Sequence, residues 1–162
     1  MEQQVSLASG QAMYLRIAGA VGPVEPAGIL ALGVTGLQRL GVTRQKAAYI
    51  ADLAERVRSG QLPLHRLGTC TDAEAGERLM QVRGIGPWTA GIYLLMALRR
   101  PDIWPPGDLA LHKALGRLHG TTSMLSVAEV ERLTARWRPL RAVAARILWH
   151  GYLEELRVRA HA

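Results

Sequence analysis

Residues 83–92 read RGIGPWTAGI, two glycines one residue apart with a proline directly after the second. The stretches on either side, ERLMQV before it and YLLMAL after it, carry apolar residues at helical spacing. Glycine tolerates backbone angles closed to other residues, so Gly84 and Gly86 permit a tight reversal between two helices. Pro87 suits the first position of the second helix, where an N–H has no partner inside the helix to lose. The residues predict a helix-hairpin-helix over about 74–98.

Outward from the hairpin the same periodicity continues in both directions without a convincing run of strand-like alternation, so the expected fold class is all-α, a helical bundle. Thr71 and Glu74 have capping-box spacing and start the first hairpin helix, which runs to about Val82 and stops at Gly84. Thr43 starts a helix whose face is Ile50, Leu53, Ala54 and Val57, ended by Ser59 and Gly60. Two short helical pieces, near 26–32 and 35–40, precede it. A helix over about 5–21, with Val5, Ala8, Ala12 and Leu15 on one face, comes before the breaking sequence GPVEPAG. Beyond the hairpin, Asp108 caps a helix through LALHKALGRLH, and Ser126 with Glu129 repeats the capping box. A last helix runs from about residue 139 past Trp149. No repeat or linker divides the chain, which predicts one domain over 1–162.

Of the 162 residues, 49% are hydrophobic and 20% charged, the balance of a packed globule. The net charge is +7, and Lys46 and Lys113 are the only lysines among 20 basic residues. Such a charge suits an anionic partner, although an arginine excess also follows from genome composition alone. On a basic protein, the backbone N–H groups of Gly84, Ile85 and Gly86, backed by the positive end of the next helix, form a site for a nucleic-acid phosphate. It grips backbone without reading sequence. A GxG turn with no ligand has the same local signature. The single cysteine, Cys70, excludes an internal disulfide framework and a four-thiolate iron–sulfur cluster. No stretch approaches 18 consecutive apolar residues, and the N-terminus lacks a basic and apolar signal region, which predicts a cytoplasmic protein that binds no membrane.

A second stretch, WPPGDLALHK at 104–113, places Asp108 at a helix start, where capping alone would account for it. Taken together, GIGPWTA and DIWPPGDLAL resemble the hairpin and catalytic-aspartate segment of the helix-hairpin-helix DNA glycosylase superfamily, closest to the 3-methyladenine DNA glycosylase II branch. EQQVSLAS at 2–9, GVTRQKAAYIADLA at 41–54 and RWRPLRAVAARILW at 136–149 agree, in the expected order.

The resemblance implies a monofunctional DNA glycosylase that removes alkylated purines from double-stranded DNA during base excision repair. Asp108 takes the position of the essential carboxylate, which stabilises positive charge building on the sugar as the base leaves. Trp88 stands where strand-cutting relatives carry a lysine, and tryptophan cannot form the Schiff base that lyase chemistry needs. Trp88 and Trp137 match positions that line the base pocket, where an indole face attracts a cationic alkylated base. Gln3 and Gln4 match the loop that fills the gap left by the extruded nucleotide, and Arg141, in an RPxR pattern, supports the Asp108 region or a helix end. Trp104 and Trp149 read as core packing. His112 and Lys113 read equally as phosphate contacts or as a charged helix face.

The resemblance further implies no cofactor, with a place for a monovalent cation between hairpin carbonyls and a DNA phosphate. The branch often has a tyrosine four residues after the hairpin tryptophan and another just after the aspartate. Here Ile92 and Leu109 stand there, and Tyr93 is displaced by one residue, about 100° around a helix. Relatives also carry a helix before the EQQVSLAS segment, so the first family helix is expected to be missing. A non-catalytic or truncated helix-hairpin-helix DNA-binding module is the alternative.

Overall fold

The computed structural model describes residues 7–160, with side chains from 9 to 159. Gln3 and Gln4, and Val5 of the first expected face, lie outside the described residues. All regular structure among the described residues is helical: α1 (Leu7–Val21), α2 (Pro26–Arg39), α3 (Arg44–Arg58), α4 (Asp72–Met80), α5 (Pro87–Met96), α6 (Leu109–Leu118), α7 (Val127–Thr134) and α8 (Arg141–Ala160), with 3₁₀ turns at Leu64–Thr69 and Ala135–Trp137. Among these residues no single helix is long and apolar enough to cross a membrane. They form two compact units, one taking the chain up to Thr69 together with Arg78–Gly84, the other Cys70–Glu77 together with Ile85 onward.

In the first unit α2 and α3 pack along each other around Ile17, Ile29, Leu37, Val42, Ala47 and Ala54. Leu37 and Ala47 are fully enclosed, and burying a leucine of that kind contributes about 1.5–3 kcal/mol. Thr43 caps α3 as its sequence requires, its hydroxyl accepting from Lys46 N. Gly33 leaves helical geometry at φ 66° and ψ 177°, so α2 is two short pieces, as expected.

The α1 face is a correction. Met13, Ile17 and Val21, at i, i+4 and i+8, turn to the core, while Ala12 is exposed and Leu15 keeps 60% of its surface. This helix is apolar on several sides, so its periodicity alone does not choose the buried one.

In the second unit two clusters share Trp104 and Leu148: Leu95, Leu111, Ala142 and Ala145 form one, and Leu115, Leu125 and Val130 the other. Leu111 and Leu115 of α6 are fully buried, and α6 lies along α8. The capping boxes form at both predicted places. Thr71 N donates to Glu74 Oε2 at 2.8 Å while Glu74 N donates to Thr71 Oγ1 at 3.3 Å, and Ser126 with Glu129 repeats the exchange. Each satisfies helix-end N–H groups and contributes on the order of 1 kcal/mol.

The hairpin forms, with α4 ending at Met80 rather than near Val82. Gly84 sits at φ +91°. Gly86 is the extended N-cap of α5, at φ −94° and ψ 179°, with Pro87 first in the helix. On the inner side of α5, a Cβ on Gly91 would stand 3.3 Å from Pro105 Cα and from Pro106 Cδ. The missing side chain therefore lets the Pro105–Pro106 segment lie against α5, and that segment leads directly into Asp108.

Candidate active site

Asp108 is the N-cap of α6, and it is buried, with 8% of its surface exposed. Its Oδ1 accepts from the backbone N of Leu111 at 2.9 Å, the capping bond its position predicts. Two indoles complete its surroundings. Trp88 Nε1, on the first turn of α5, donates to Oδ2 at 2.9 Å, and Trp149 Nε1, on α8, donates to Oδ1 at 3.2 Å. A carboxylate has about four lone-pair sites, and the donors named occupy three, leaving one on Oδ2. Among the described residues no lysine, arginine or histidine forms an ion pair with Asp108. Its charge is held by neutral donors and is not cancelled.

Sequence reasoning brought Asp108 and Trp88 to one site but assigned Trp149 to packing alone. Its ring does pack in the cluster of Leu95, Leu111, Ala142 and Ala145. Its N–H supplies the third donor, a role legible only in the tendency of a buried indole to seek an acceptor. Trp88 differs in keeping 48% of its surface exposed, which makes it the open wall beside the carboxylate.

Arg141, only 12% exposed in its side chain, grips Asp102 midway along the loop that carries Asp108. Its Nε donates to Oδ1 at 2.8 Å, and its Nη2 to Oδ2 at 3.1 Å and to the Asp102 carbonyl at 3.0 Å. Its backbone N donates to Oδ1 at 3.3 Å, tying the start of α8 to the same carboxylate. The side-chain hydrogen bonds from Arg141 hold the Asp102 carboxyl below its ordinary range, with the Arg141 and Arg138 charges adding to the effect and burial opposing it. Arg141 thus supports both a helix end and the Asp108 loop without touching Asp108.

Trp137 has no hydrogen bond to Asp108. It packs on Trp104, ring centroids 6.0 Å apart and tilted by 31°, and the Arg136 guanidinium lies 5.5 Å from its ring centre. Trp104 belongs to both clusters of this unit, as its packing assignment required. Ile92 and Leu109 are half-buried where relatives often have tyrosines, and burial pushes the Tyr93 phenol upward. His112 and Lys113 line a cleft of about 290 Å³ beside α6 together with Arg117, Thr121 and Thr122. Among the described residues no group of three or more His, Cys, Asp or Glu side chains is placed to share a metal ion. At the hairpin, the carbonyls of Arg83, Gly84 and Ile85 accept no backbone hydrogen bond among the described residues.

Residues 1–139 match the sequence profile of the family described as HhH-GPD superfamily base excision DNA repair protein. A DNA-3-methyladenine glycosylase of Bacillus subtilis is 30% identical over 121 residues, 75% of this chain and 40% of that protein. The crystal structure of a DNA-3-methyladenine glycosidase from Bacillus halodurans superposes with a TM-score of 0.80 at 29% identity, covering 93% of this chain and 70% of that one. The Schizosaccharomyces pombe 3-methyladenine DNA glycosylase (Mag1), in complex with abasic DNA, superposes with a TM-score of 0.83 at 26% identity, covering 91% and 73%. The chain spans 44%, 40% and 59% of the length of three curated relatives it matches.

Proposed function

Since the chain belongs to the HhH-GPD superfamily of base excision DNA repair proteins, we propose that it is a monofunctional DNA glycosylase acting on double-stranded DNA that contains a damaged base. It hydrolyses the N-glycosidic bond of alkylated purines of the 3-methyladenine type. The observation that carries this reading is the Asp108 carboxylate, held by three N–H donors with no cation among the described residues to cancel it.

In the reaction the bond from C1′ to the base nitrogen breaks, and its electron pair leaves with the base, cancelling the positive charge that alkylation placed on the ring. Positive charge then develops on C1′ and the ring oxygen. The Asp108 carboxylate stabilises that charge electrostatically, without giving or taking a proton. Water adds to C1′ and releases its proton to solvent. Preorganisation comes from the fold: Leu111 N, Trp88 and Trp149 fix the carboxylate before the sugar arrives.

Trp88 and Trp137 are the indoles for the extruded base. Stacking on an aromatic wall returns about 1–3 kcal/mol per base, and a cationic base gains a further attraction that an undamaged one lacks. Arg136 already occupies one side of Trp137, so the half-exposed Trp88 is the more open face. With tryptophan where strand-cutting relatives have lysine, no imine forms and the abasic strand stays intact. Gly84, Ile85 and Gly86 hold a phosphate of the strand through their backbone. The carbonyls of the turn are the oxygen donors that a monovalent cation takes, and the ion would add positive charge beside that phosphate.

The test is release of 3-methyladenine and 7-methylguanine from methylated duplex, read by chromatography, with strand integrity read on a denaturing gel. The wild type is expected to release base without nicking, and Asp108→Asn to release it about 10²–10³-fold more slowly while still binding DNA. Undiminished release by Asp108→Asn removes the assignment of the acid. Salt-sensitive binding with no release from wild type establishes the binding-module alternative instead.

A further inference from the structure

The turn at Gly84 rests on an aromatic ring from α3. A Cβ built on Gly84 would stand 2.2 Å from Tyr49 Cδ2 and 2.6 Å from Cγ, separations that no side-chain carbon reaches. Ring and turn therefore touch only because residue 84 is glycine, and its φ of +91° makes the same demand. The far end of the ring is fixed too, since Gln45 Nε2 donates to the Tyr49 hydroxyl at 3.0 Å.

Over the ring face lies the guanidinium of Arg83, its Cζ 5.7 Å from the centroid. Arg83 is exposed and has no carboxylate partner among the described residues, whereas Arg56 and Arg58 on α3 are paired with Asp52 and Glu55. A guanidinium over a ring still has N–H groups to donate, and two of them side by side match two oxygens of a phosphate.

We propose that Arg83 is a DNA-phosphate contact accompanying the hairpin, and that Tyr49 is the positioning residue that holds it ready. The inference rests on the reading of the chain as a DNA-binding glycosylase, and it adds a charged grip to the neutral backbone grip of the turn. Tyr49 sets the height of Gly84 and the direction of Arg83 at once, so the two contacts are ordered by one ring before DNA arrives. Held in advance, the arginine loses less freedom on binding than a free side chain would. A phosphate contact carries no base information, so the effect is the same on damaged and undamaged duplex.

The experiment titrates the full chain with a fluorescent duplex carrying a tetrahydrofuran abasic analogue over a series of salt concentrations. Arg83→Gln is expected to reduce the slope of log K against log salt by about 1 and to weaken binding roughly three- to tenfold. Tyr49→Leu weakens binding in the same direction although every charge is retained. Tyr49→Phe, which keeps the ring and loses only the Gln45 bond, binds as wild type. An Arg83→Gln slope equal to wild type overturns the proposal, as does Tyr49→Leu binding as tightly as Tyr49→Phe. If wild type releases no base yet binds DNA with a slope that Arg83 governs, the glycosylase reading falls and this contact stands. Base release with an Arg83-independent slope has the opposite meaning.

Discussion

Asp102 lies midway along the loop between α5 and α6 and Asp108 at its end, and the protein treats them in opposite ways. Asp102 receives a guanidinium on both oxygens and lies within ion-pair distance of a second arginine, Arg138. Asp108 receives one backbone N–H and two indole N–H groups, all neutral. A carboxylate matched by cations has spent its field on the fold. One held by neutral dipoles keeps its field for whatever charge comes near. The pair separates an acid that fastens the loop from an acid that the loop presents.

Exchanging each acid for its amide is the most direct way to break the contrast. Asp108→Asn should lower the rate of base release by about 10²–10³, the loss usual for removing one preorganised electrostatic group, with the melting temperature read in parallel to confirm folding. Asp102→Asn should invert that pattern. Leaving Arg141 without its anion costs about 1.5–3 kcal/mol in urea unfolding, while release per folded molecule at saturating substrate changes far less than in Asp108→Asn. Equal losses of release in the two variants would erase the division.

Trp149→Phe sharpens it. The ring still packs but one of the two donors on Oδ1 is gone, so release should fall about tenfold, the worth of one hydrogen bond near 1.4 kcal/mol. A wild-type rate would make Trp149 a packing residue only. The smallest effect is in acid. Because the folded Asp102 carboxyl is held below its ordinary value, the native state binds fewer protons there than the unfolded chain. Its contribution to stability is complete above about pH 4, the unfolded value, and disappears as pH falls through the folded one. The gap in urea midpoint between wild type and Asp102→Asn should narrow over that window and stay constant above it.

How much of this was legible depends on distance along the chain. Thr43, Thr71, Ser126 and Asp108 announce their helices because capping is settled within three residues. Gly33 and the Gly84–Gly86 turn are equally local. The Trp149 contact to Asp108 joins positions 41 apart, and nothing near either residue states it; packing of α8 against α6 decides. Arg141 was legible as a supporter of the loop, but not the identity of its partner, Asp102, 39 residues away. The α1 face was misread because several sides are apolar, and only the neighbouring helices choose among them.

The bare crossing at Gly91 has one more consequence. With Pro105 Cα and Pro106 Cδ only 3.3 Å from where a methyl on residue 91 would stand, α5 and the run-up to Asp108 meet at closer range than a side chain would allow without a shift. Trp88 stands on one side of that crossing and the carboxylate on the other, so the depth of the crossing helps to set their separation. Gly91→Ala would act as a shim of a few tenths of an ångström, and base release by that variant measures how finely the site depends on the crossing with none of its hydrogen-bonding groups altered.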